Sequence, residues 1–299
     1  MICNSYKECP FEISGVSYVG APVPGTAMYA SKKIQKMLEK LSGTRQCLVF
    51  VETGSVIPDD AERDNCFVIS DTPQRDYAVF ASELSANLFA IEKSKPYRLT
   101  DGGFYIGEDT QISEDAYIEP GCLIGHGVKI GKNAVIRANS VIKHAVIGDD
   151  FICNEGAVIG SDGFTMIDDA DGNKMRIPTF GIVEIGNSVE IGPNNNINRG
   201  SAGSTVIEDH VKLDSLVHVG HDSHICKNVE ITAGVAIGGY VTVGEGVFFG
   251  LNSTVKNRIK VGGGSLVGIG SSVVLPVKSG TTVLGQIAKP FKAFEGGNS

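Results

Sequence analysis

Histidine is the side chain whose proton exchange falls closest to neutral pH, and this sequence contains six histidines. His221 lies in the segment Leu216–Asp222 (LVHVGHD), two residues after the aliphatic Val219. We expect side chains at that place to point away from the core, so the imidazole of His221 could accept a proton from a hydroxyl or an amine. A solvated surface histidine would show the same pattern, and both interpretations remain open at this point.

The spacing of the other histidines argues against a metal site. His126 and His144 are 18 residues apart, and each follows an aliphatic residue by two positions. This arrangement suits stacking along a surface better than a pair of ligands. His218 and His224 each directly precede an aliphatic residue, and we expect them on different sides of the molecule. A zinc hydratase of the carbonic-anhydrase type needs three converging histidines. The sequence therefore predicts no metal.

An aliphatic period of six residues must position these histidines. It begins after Gly102, and its longest unbroken series runs from Ile207 to Val273. A six-residue period is the signature of a parallel β-helix, in which three repeats close one triangular coil of 18 residues. We predict a mainly β fold, a left-handed parallel β-helix of hexapeptide repeats over residues 101–275. The first series consists of Ile106, Ile112, Ile118, Ile124, Ile130, Ile136 and Ile142.

The composition fits this fold and limits the function. Glycine accounts for 38 of 299 residues, which suits the tight corners of a β-helix. The formal net charge of −8 argues against a nucleic-acid binder. Seven cysteines without a CxxC pair favour a reducing compartment. No apolar run approaches the ~20 residues of a membrane span, and Met1–Pro10 lacks a secretory signal pattern. We therefore expect a cytoplasmic protein with no membrane span.

Residues 1–100 follow a different pattern, which predicts a small N-terminal α/β domain. Ala30–Leu41 carries apolar residues at helical spacing, Cys47–Val51 suits a buried strand, and Tyr77–Phe89 suits another helix. Glu92–Pro96 (EKSKP) is the predicted linker. At the other end, residues 276–299 are predicted to form a C-terminal tail.

One segment, residues 161–184, interrupts the repeats and carries no hexapeptide pattern. A loop of this length inside a regular solenoid is usually functional, so we predict an arm that reaches a neighbouring subunit. A triangular prism offers three flat faces, and three copies can pack one face each around an axis. The sequence therefore predicts a homotrimer.

Three motifs carry a family resemblance. Ile159–Phe164 (IGSDGF), Asn195–Ala202 (NNINRGSA) and Thr205–His221 (TVIEDHVKLDSLVHVGH) closely resemble the UDP-3-O-acylglucosamine N-acyltransferases of lipid A synthesis. The resemblance covers the hexapeptide half well and residues 1–100 weakly. It implies transfer of an acyl group from a pantetheine thioester, on an acyl carrier protein or coenzyme A, to the amino group of a nucleotide-linked amino sugar. No bound cofactor is implied.

The same resemblance implies roles for particular residues. His221 would be the general base, and the backbone N–H of Gly239, one coil further on, would stabilise the oxyanion. Arg258 stands near the place of a second family histidine, and we expect it to hold a phosphate of the donor or of the sugar nucleotide. The further substrate-binding candidates in the matched motifs are Asp214, Asn198 and Phe164.

The N-terminal domain departs from the family at its nucleotide site. A weak alignment over Ala27–Leu38 places Met28 and Ile34 where the family has two aromatic residues that sandwich uracil. Tyr29 is adjacent to the first of these positions and becomes the candidate contact for the nucleotide.

Two alternatives remain open. Leu284–Lys289 (LGQIAK) resembles the short tail of acetyl-CoA-dependent hexapeptide transferases, which favours an N-acetyltransferase of another nucleotide amino sugar. A non-catalytic β-helix scaffold is the alternative from another class.

Overall fold

The computed structural model describes residues 1–286, and most of its strands belong to three sheets that wrap into one prism. Each hexapeptide repeat contributes a short strand, which pairs in parallel with the strand one coil away, as Val219 does with Ile197 and Ile237. The repeated aliphatic side chains fill the interior. The predicted parallel β-helix is therefore confirmed.

The three faces of the prism are defined by their strands. Face A consists of Arg98–Leu99, Tyr105–Ile106, Leu123–Ile124, Val141–Ile142, Val158–Ser161, Asn196–Asn198, His218–Val219, Ala236–Ile237, Thr254–Val255 and Ser272–Val273. Face B consists of Gln111–Ile112, Lys129–Ile130, Ala145–Ile147, Ile182–Ile185, Ser204–Ile207, His224–Ile225, Thr242–Val243 and Lys260–Val261. Face C consists of Tyr117–Ile118, Val135–Ile136, Ile152–Cys153, Glu190–Ile191, Lys212–Leu213, Glu230–Ile231, Phe248–Phe249, Leu266–Val267 and Thr282–Val283.

The first coil of the prism is less well packed than the others. Ile106 and Ile112 are half-buried, whereas Ile124 and Ile136 in the next coil are fully buried. A terminal coil has a neighbour on one side only, so its interior side chains stay partly uncovered.

The N-terminal part is a small parallel sheet with helices, as predicted. Its strands, in the order β1-β5-β4-β3-β2, are β1 (Ile2–Cys3), β2 (Gly15–Val16), β3 (Thr26–Ala30), β4 (Leu48–Glu52) and β5 (Cys66–Ser70). The helices are the 3-10 helices Tyr6–Glu8 and Lys32–Leu41 and the α-helices α1 (Asp59–Asp64) and α2 (Pro73–Ser94).

Helix α2 corrects the predicted linker. It continues through Ser94 and so includes most of Glu92–Pro96. Nothing before Pro96 breaks a helix, and a proline disfavours helical backbone only at the residue that precedes it. The domain boundaries at residues 100 and 275 stay predictions, and residues 287–299 of the predicted tail lie outside the described part. Within residues 1–286, no helix combines the length and the apolar character that crossing a membrane requires.

The segment that interrupts the repeats folds back on its own chain. It forms an antiparallel hairpin of Met166–Asp168 and Lys174–Arg176. Ile177 after the hairpin is buried in the same hydrophobic cluster as Phe50 of β4 and Tyr77 of α2. The segment therefore connects the N-terminal sheet to the β-helix within one chain, and its predicted reach toward a neighbouring subunit stays a prediction.

Candidate active site

His221 lies at the corner between faces A and B, and the interrupting segment covers it. Only 12% of its side chain is exposed, so of the two interpretations left open the structure does not support a solvated surface histidine. Its Nδ1 lies 2.7 Å from Oδ2 of Asp222, and its Nε2 lies 3.2 Å from Oγ1 of Thr165. A Cβ atom on Gly163 would lie 2.8 Å from the imidazole ring. Glycine in the SDGF motif is therefore what allows the segment to approach the histidine.

Asp222 is the partner that the sequence analysis missed. Its carboxylate accepts hydrogen bonds from His221, from the backbone N–H and hydroxyl of Ser201, and from the hydroxyl of Tyr18. Burial alone would raise the pKa of Asp222, but these hydrogen bonds outweigh it and hold the pKa below its usual range. The ionised carboxylate fixes the proton on Nδ1 and leaves Nε2 free to accept one. Its position directly after His221 in LVHVGHD was the available signal.

Gly239 lies one coil beyond His221, as predicted. A Cβ atom at this position would lie 2.9 Å from Nε2 of His221, so only a glycine leaves the space beside that nitrogen open. In the part of the chain that the structure describes, no oxygen accepts a hydrogen bond from the Gly239 N–H. The amide is thus available to a ligand beside the imidazole.

A cavity of about 450 Å³ connects this corner to the N-terminal sheet. Thr165 and Ser201, which contact the two ring nitrogens of His221, form one wall. The remaining lining residues are Ser17, Tyr18, Val19, Gly20, Tyr29, Ile34, Met37, Gln74, Tyr77, Ile177, Ala202, Tyr240 and Arg258. One space is therefore bounded both by the imidazole's partners and by the N-terminal sheet and helices.

Arg258 lies on the N-terminal side of this cavity. Its guanidinium stacks over the ring of Tyr240, 4.2 Å from the ring centroid. It also lines an adjoining cavity of about 750 Å³ together with Tyr29 and Gln74. The predicted contact of Arg258 with a phosphate, of the donor or of the sugar nucleotide, stays a prediction.

Strand alternation decides which residues of β3 can reach the cavity. Met28 is 1% exposed and packs with Leu38 and Leu41 on one side of the sheet. Tyr29 faces the opposite side, where its ring packs on Tyr77 and its hydroxyl accepts from Nε2 of Gln74 at 3.2 Å. Met28 therefore cannot contact a nucleotide, whereas Tyr29 lines the cavity as the sequence analysis expected.

Three other predicted residues lie outside the cavity. Asn198 is buried and donates from Nδ2 to Oγ of Ser161 at 2.9 Å, so it anchors the start of the interrupting segment. Phe164 is 74% exposed and packs under Arg176. Asp214 is exposed after the face C strand Lys212–Leu213, one corner away from His221. The predicted substrate contacts of these three residues stay predictions.

The remaining histidines are separated as the spacing predicts. His126 packs on Tyr97 and accepts from the N–H of Glu108, far from His221 along the prism. His218 lies on face A and His224 on face B. His224 approaches Glu208 and Cys226, and their ligand atoms lie within 4.8 Å of one another. Such a group could hold a metal ion. The absence of a metal, expected from the sequence, stays a prediction.

Comparisons with known proteins agree with the motifs. A family model described as bacterial transferase hexapeptide (six repeats) matches residues 109–144. A UDP-3-O-acylglucosamine N-acyltransferase of Caulobacter sp. (strain K31) is 36% identical over 151 residues, which cover 50% of this chain and 44% of that relative. One from Legionella pneumophila (strain Paris) is 52% identical over 98 residues, which cover 33% and 28% of the two chains. The chain is similar to UDP-3-O-acylglucosamine N-acyltransferases. The resemblance predicted from the three motifs is confirmed.

The matched regions span less than half the length of these curated relatives.

Solved structures support the fold independently. The UDP-N-acetylglucosamine acyltransferase of Francisella novicida aligns with a TM-score of 0.56 at 24% identity, over 61% of this chain and 65% of that one. The O-acyltransferase of Moraxella catarrhalis gives 0.55 at 24% identity, over 61% and 70%. This likeness confirms the predicted left-handed winding of the β-helix.

Proposed function

We propose that this protein is an N-acyltransferase that moves an acyl group from a pantetheine thioester to the amino group of a nucleotide-linked amino sugar. The observation that carries the proposal is the single cavity bounded by the partners of His221 and by the N-terminal residues Tyr29, Gln74 and Arg258. An acceptor with its nucleotide at Tyr29 would extend through that cavity and bring its amine to Thr165 and Ser201, the two cavity residues that contact the ring nitrogens of His221. The two curated relatives are named as N-acyltransferases, which is the same type of reaction.

The reaction follows from the His221–Asp222 pair. The amine nitrogen forms a bond to the thioester carbonyl carbon while its proton passes to Nε2 of His221. The carbonyl oxygen becomes an oxyanion, which the free N–H of Gly239 stabilises. Collapse of this intermediate restores the carbonyl and breaks the carbon–sulfur bond. The departing sulfur takes the proton from His221, so an amide and a thiol are the products.

Electrostatics support the orientation of the acceptor. Arg258 carries a permanent positive charge in the cavity and can bind a diphosphate with its paired N–H groups. The amide of Gln74 and the ring of Tyr29 line the cavities and can contact a base. With Met28 buried, the two-sided aromatic stacking of uracil found in the family has no equivalent here, and the site would recognise its nucleotide through Tyr29 and Gln74.

The donor and the assembly complete the proposal. The donor is acyl carrier protein or coenzyme A, used as a co-substrate, and the protein holds no cofactor of its own.

The enzyme acts in the cytoplasm as a homotrimer. The trimer is expected because three prisms can pack around one axis. Sedimentation of the purified chain at micromolar concentration tests the trimer, and a species of 31.5 kDa would contradict it.

The hydrogen bonds around Asp222 favour an enzyme over a scaffold. A buried carboxylate that holds Nδ1 of a histidine is the arrangement that a general base requires, whereas the stacking of coils does not require it. The test is release of free thiol from acyl-CoA and acyl carrier protein donors across a panel of UDP- and dTDP-amino sugars, with mass spectrometry of the product. An amide product with one nucleotide amino sugar supports the proposal. Thiol release that is independent of any acceptor would contradict it. Transfer confined to acetyl-CoA would instead support the acetyltransferase alternative.

A further inference from the structure

Tyr18 connects the N-terminal sheet to the His221–Asp222 pair through one hydroxyl group. It lies between β2 and β3 and is 204 residues from Asp222 in sequence, yet its hydroxyl donates to Oδ1 of that carboxylate. The hydroxyl oxygen of Tyr18 also accepts a hydrogen bond from the N–H of Ala202 at 3.3 Å and lies 3.3 Å from the hydroxyl of Tyr240. Tyr18 lies outside the three motifs that carry the family resemblance. Its place beside Asp222 is therefore visible only in the folded structure.

The carboxylate of Asp222 accepts from both parts of the molecule, because the Ser201 N–H bonds to both of its oxygens and Tyr18 bonds to one. Oδ2 lies 2.7 Å from Nδ1 of His221 and accepts from the hydroxyl of Ser201 at 2.7 Å. Oδ1 accepts from Tyr18 and from the N–H of Ser201. Each donor takes up part of the carboxylate's negative charge. What remains is the charge that stabilises a protonated imidazole on His221.

The phenol of Tyr18 is a permanent donor. Burial, followed by the negative charge of Asp222, raises the pKa of Tyr18 far above its usual value. The hydroxyl therefore keeps its proton over the whole pH range in which histidine titrates. Tyr18 also lines the cavity, so a ligand held there would contact the ring that carries this donor.

We infer that Tyr18 is a positioning residue through which the N-terminal sheet sets the proton affinity of His221, by way of Asp222. The inference rests on the proposed role of His221 as general base. The titratable groups that face His221 are Asp222, Tyr240 and His218, and Arg258 stacks on the ring of Tyr240. Of these, Asp222 and Tyr240 contact the Tyr18 hydroxyl directly, so a substitution at Tyr18 acts on both.

The direct test is a histidine titration followed by NMR on isotopically labelled full chain, with the His221 signal assigned from a His221→Gln variant. Tyr18→Phe removes the donor and leaves more charge on Asp222, so the His221 titration midpoint should rise by roughly half to one pH unit. Replacing Tyr18 alone with 3-fluorotyrosine keeps the hydroxyl and strengthens it as a donor, so the midpoint should fall. Tyr6→Phe is the matched control, because Tyr6 donates to Glu83 at 2.8 Å in the same part of the chain.

This measurement separates the inference from the proposed function, since it needs no turnover. A midpoint in Tyr18→Phe that stays within about 0.2 units of the wild type, or that moves equally in Tyr6→Phe, overturns the inference. If Tyr18→Phe fails to fold, the fluorotyrosine protein decides, and an unchanged midpoint there overturns it as well. In an active preparation, the acid limb of the kcat/KM profile should move with the midpoint while KM for the acceptor changes little. A purely structural role would lower Tm and leave both pH readouts unmoved.

Discussion

At the scale of single residues, the site depends on the side chains that hydrogen-bond to His221 and fix its orientation. The sequence was enough to bring His221 and Gly239 together, because one ends a recognisable motif and the other lies one coil away. Asp222, Ser201 and Thr165 matter because they fix the imidazole, and hydrogen-bond partners of this kind leave no periodic signal in a sequence. Asp222 has φ of 60°, a backbone conformation that aspartate tolerates better than most residues. Its place after His221 is thus compatible with the turn as well as with the chemistry.

Arg258 gives a prediction at this scale. Its paired N–H groups suit a diphosphate, and lysine cannot reproduce that geometry. Arg258→Lys should raise KM for the nucleotide acceptor by about tenfold, the effect of losing one charge-assisted hydrogen bond, with KM for the thioester donor and the pH profile unchanged. Steady-state kinetics with each substrate varied in turn would show this. Arg137→Lys, at a surface ion pair with Glu119, is the control. A rise confined to the donor KM would return Arg258 to the donor side.

At the scale of elements, the hexapeptide period was enough to predict the β-helix, because each aliphatic residue must point inward for a coil to close. The period could not predict what covers His221. The segment 161–184 lacks the period, and its hairpin is held by contacts with β4 and α2 that are distant in sequence. Tyr18 and Tyr240 were missed for the same reason, since only the packing of the N-terminal sheet on the prism brings them together.

Gly163 tests the role of this segment. A Cβ atom there would lie 2.8 Å from the ring of His221, so Gly163→Ala must displace the ring or the segment. We expect kcat to fall by about 10- to 100-fold, since a displacement of about 1 Å can cost that much, while Tm changes by only a few degrees. Gly15→Ala is the control, because its added methyl would lie 3.8 Å from Thr26. Full activity in Gly163→Ala would show that the segment does not position the base.

At the scale of the whole molecule, acid should destabilise the fold through His144. Burial, with a smaller contribution from Arg199, lowers the pKa of His144 to about 4. In the unfolded chain histidine titrates near ~6.5. The unfolded state therefore binds the proton first as the pH falls. The stability contributed by neutral His144 is complete above pH ~6.5 and is lost as the pH falls toward 4.

The measurement is Tm at pH 7.5 and at pH 4.5. Asparagine tolerates the φ of 47° at this position, so His144→Asn should lose less Tm between the two values than the wild type does. His210→Asn is the control, since His210 is exposed at a corner of the same left-handed kind, with φ of 62°. Equal losses of Tm in all three proteins would show that His144 is not the acid-sensitive group.

In the proposed reaction, His221 takes the proton from an amine held between the β-helix and the N-terminal sheet. The most direct measurement is the turnover of His221→Ala beside the wild type, with amide product and free thiol both quantified at saturating substrates. We expect kcat to fall by roughly 10²–10⁴-fold, with acceptor binding retained by calorimetry and His126→Ala fully active. Near wild-type turnover in His221→Ala, with amide and thiol still released in equal amounts, would contradict it.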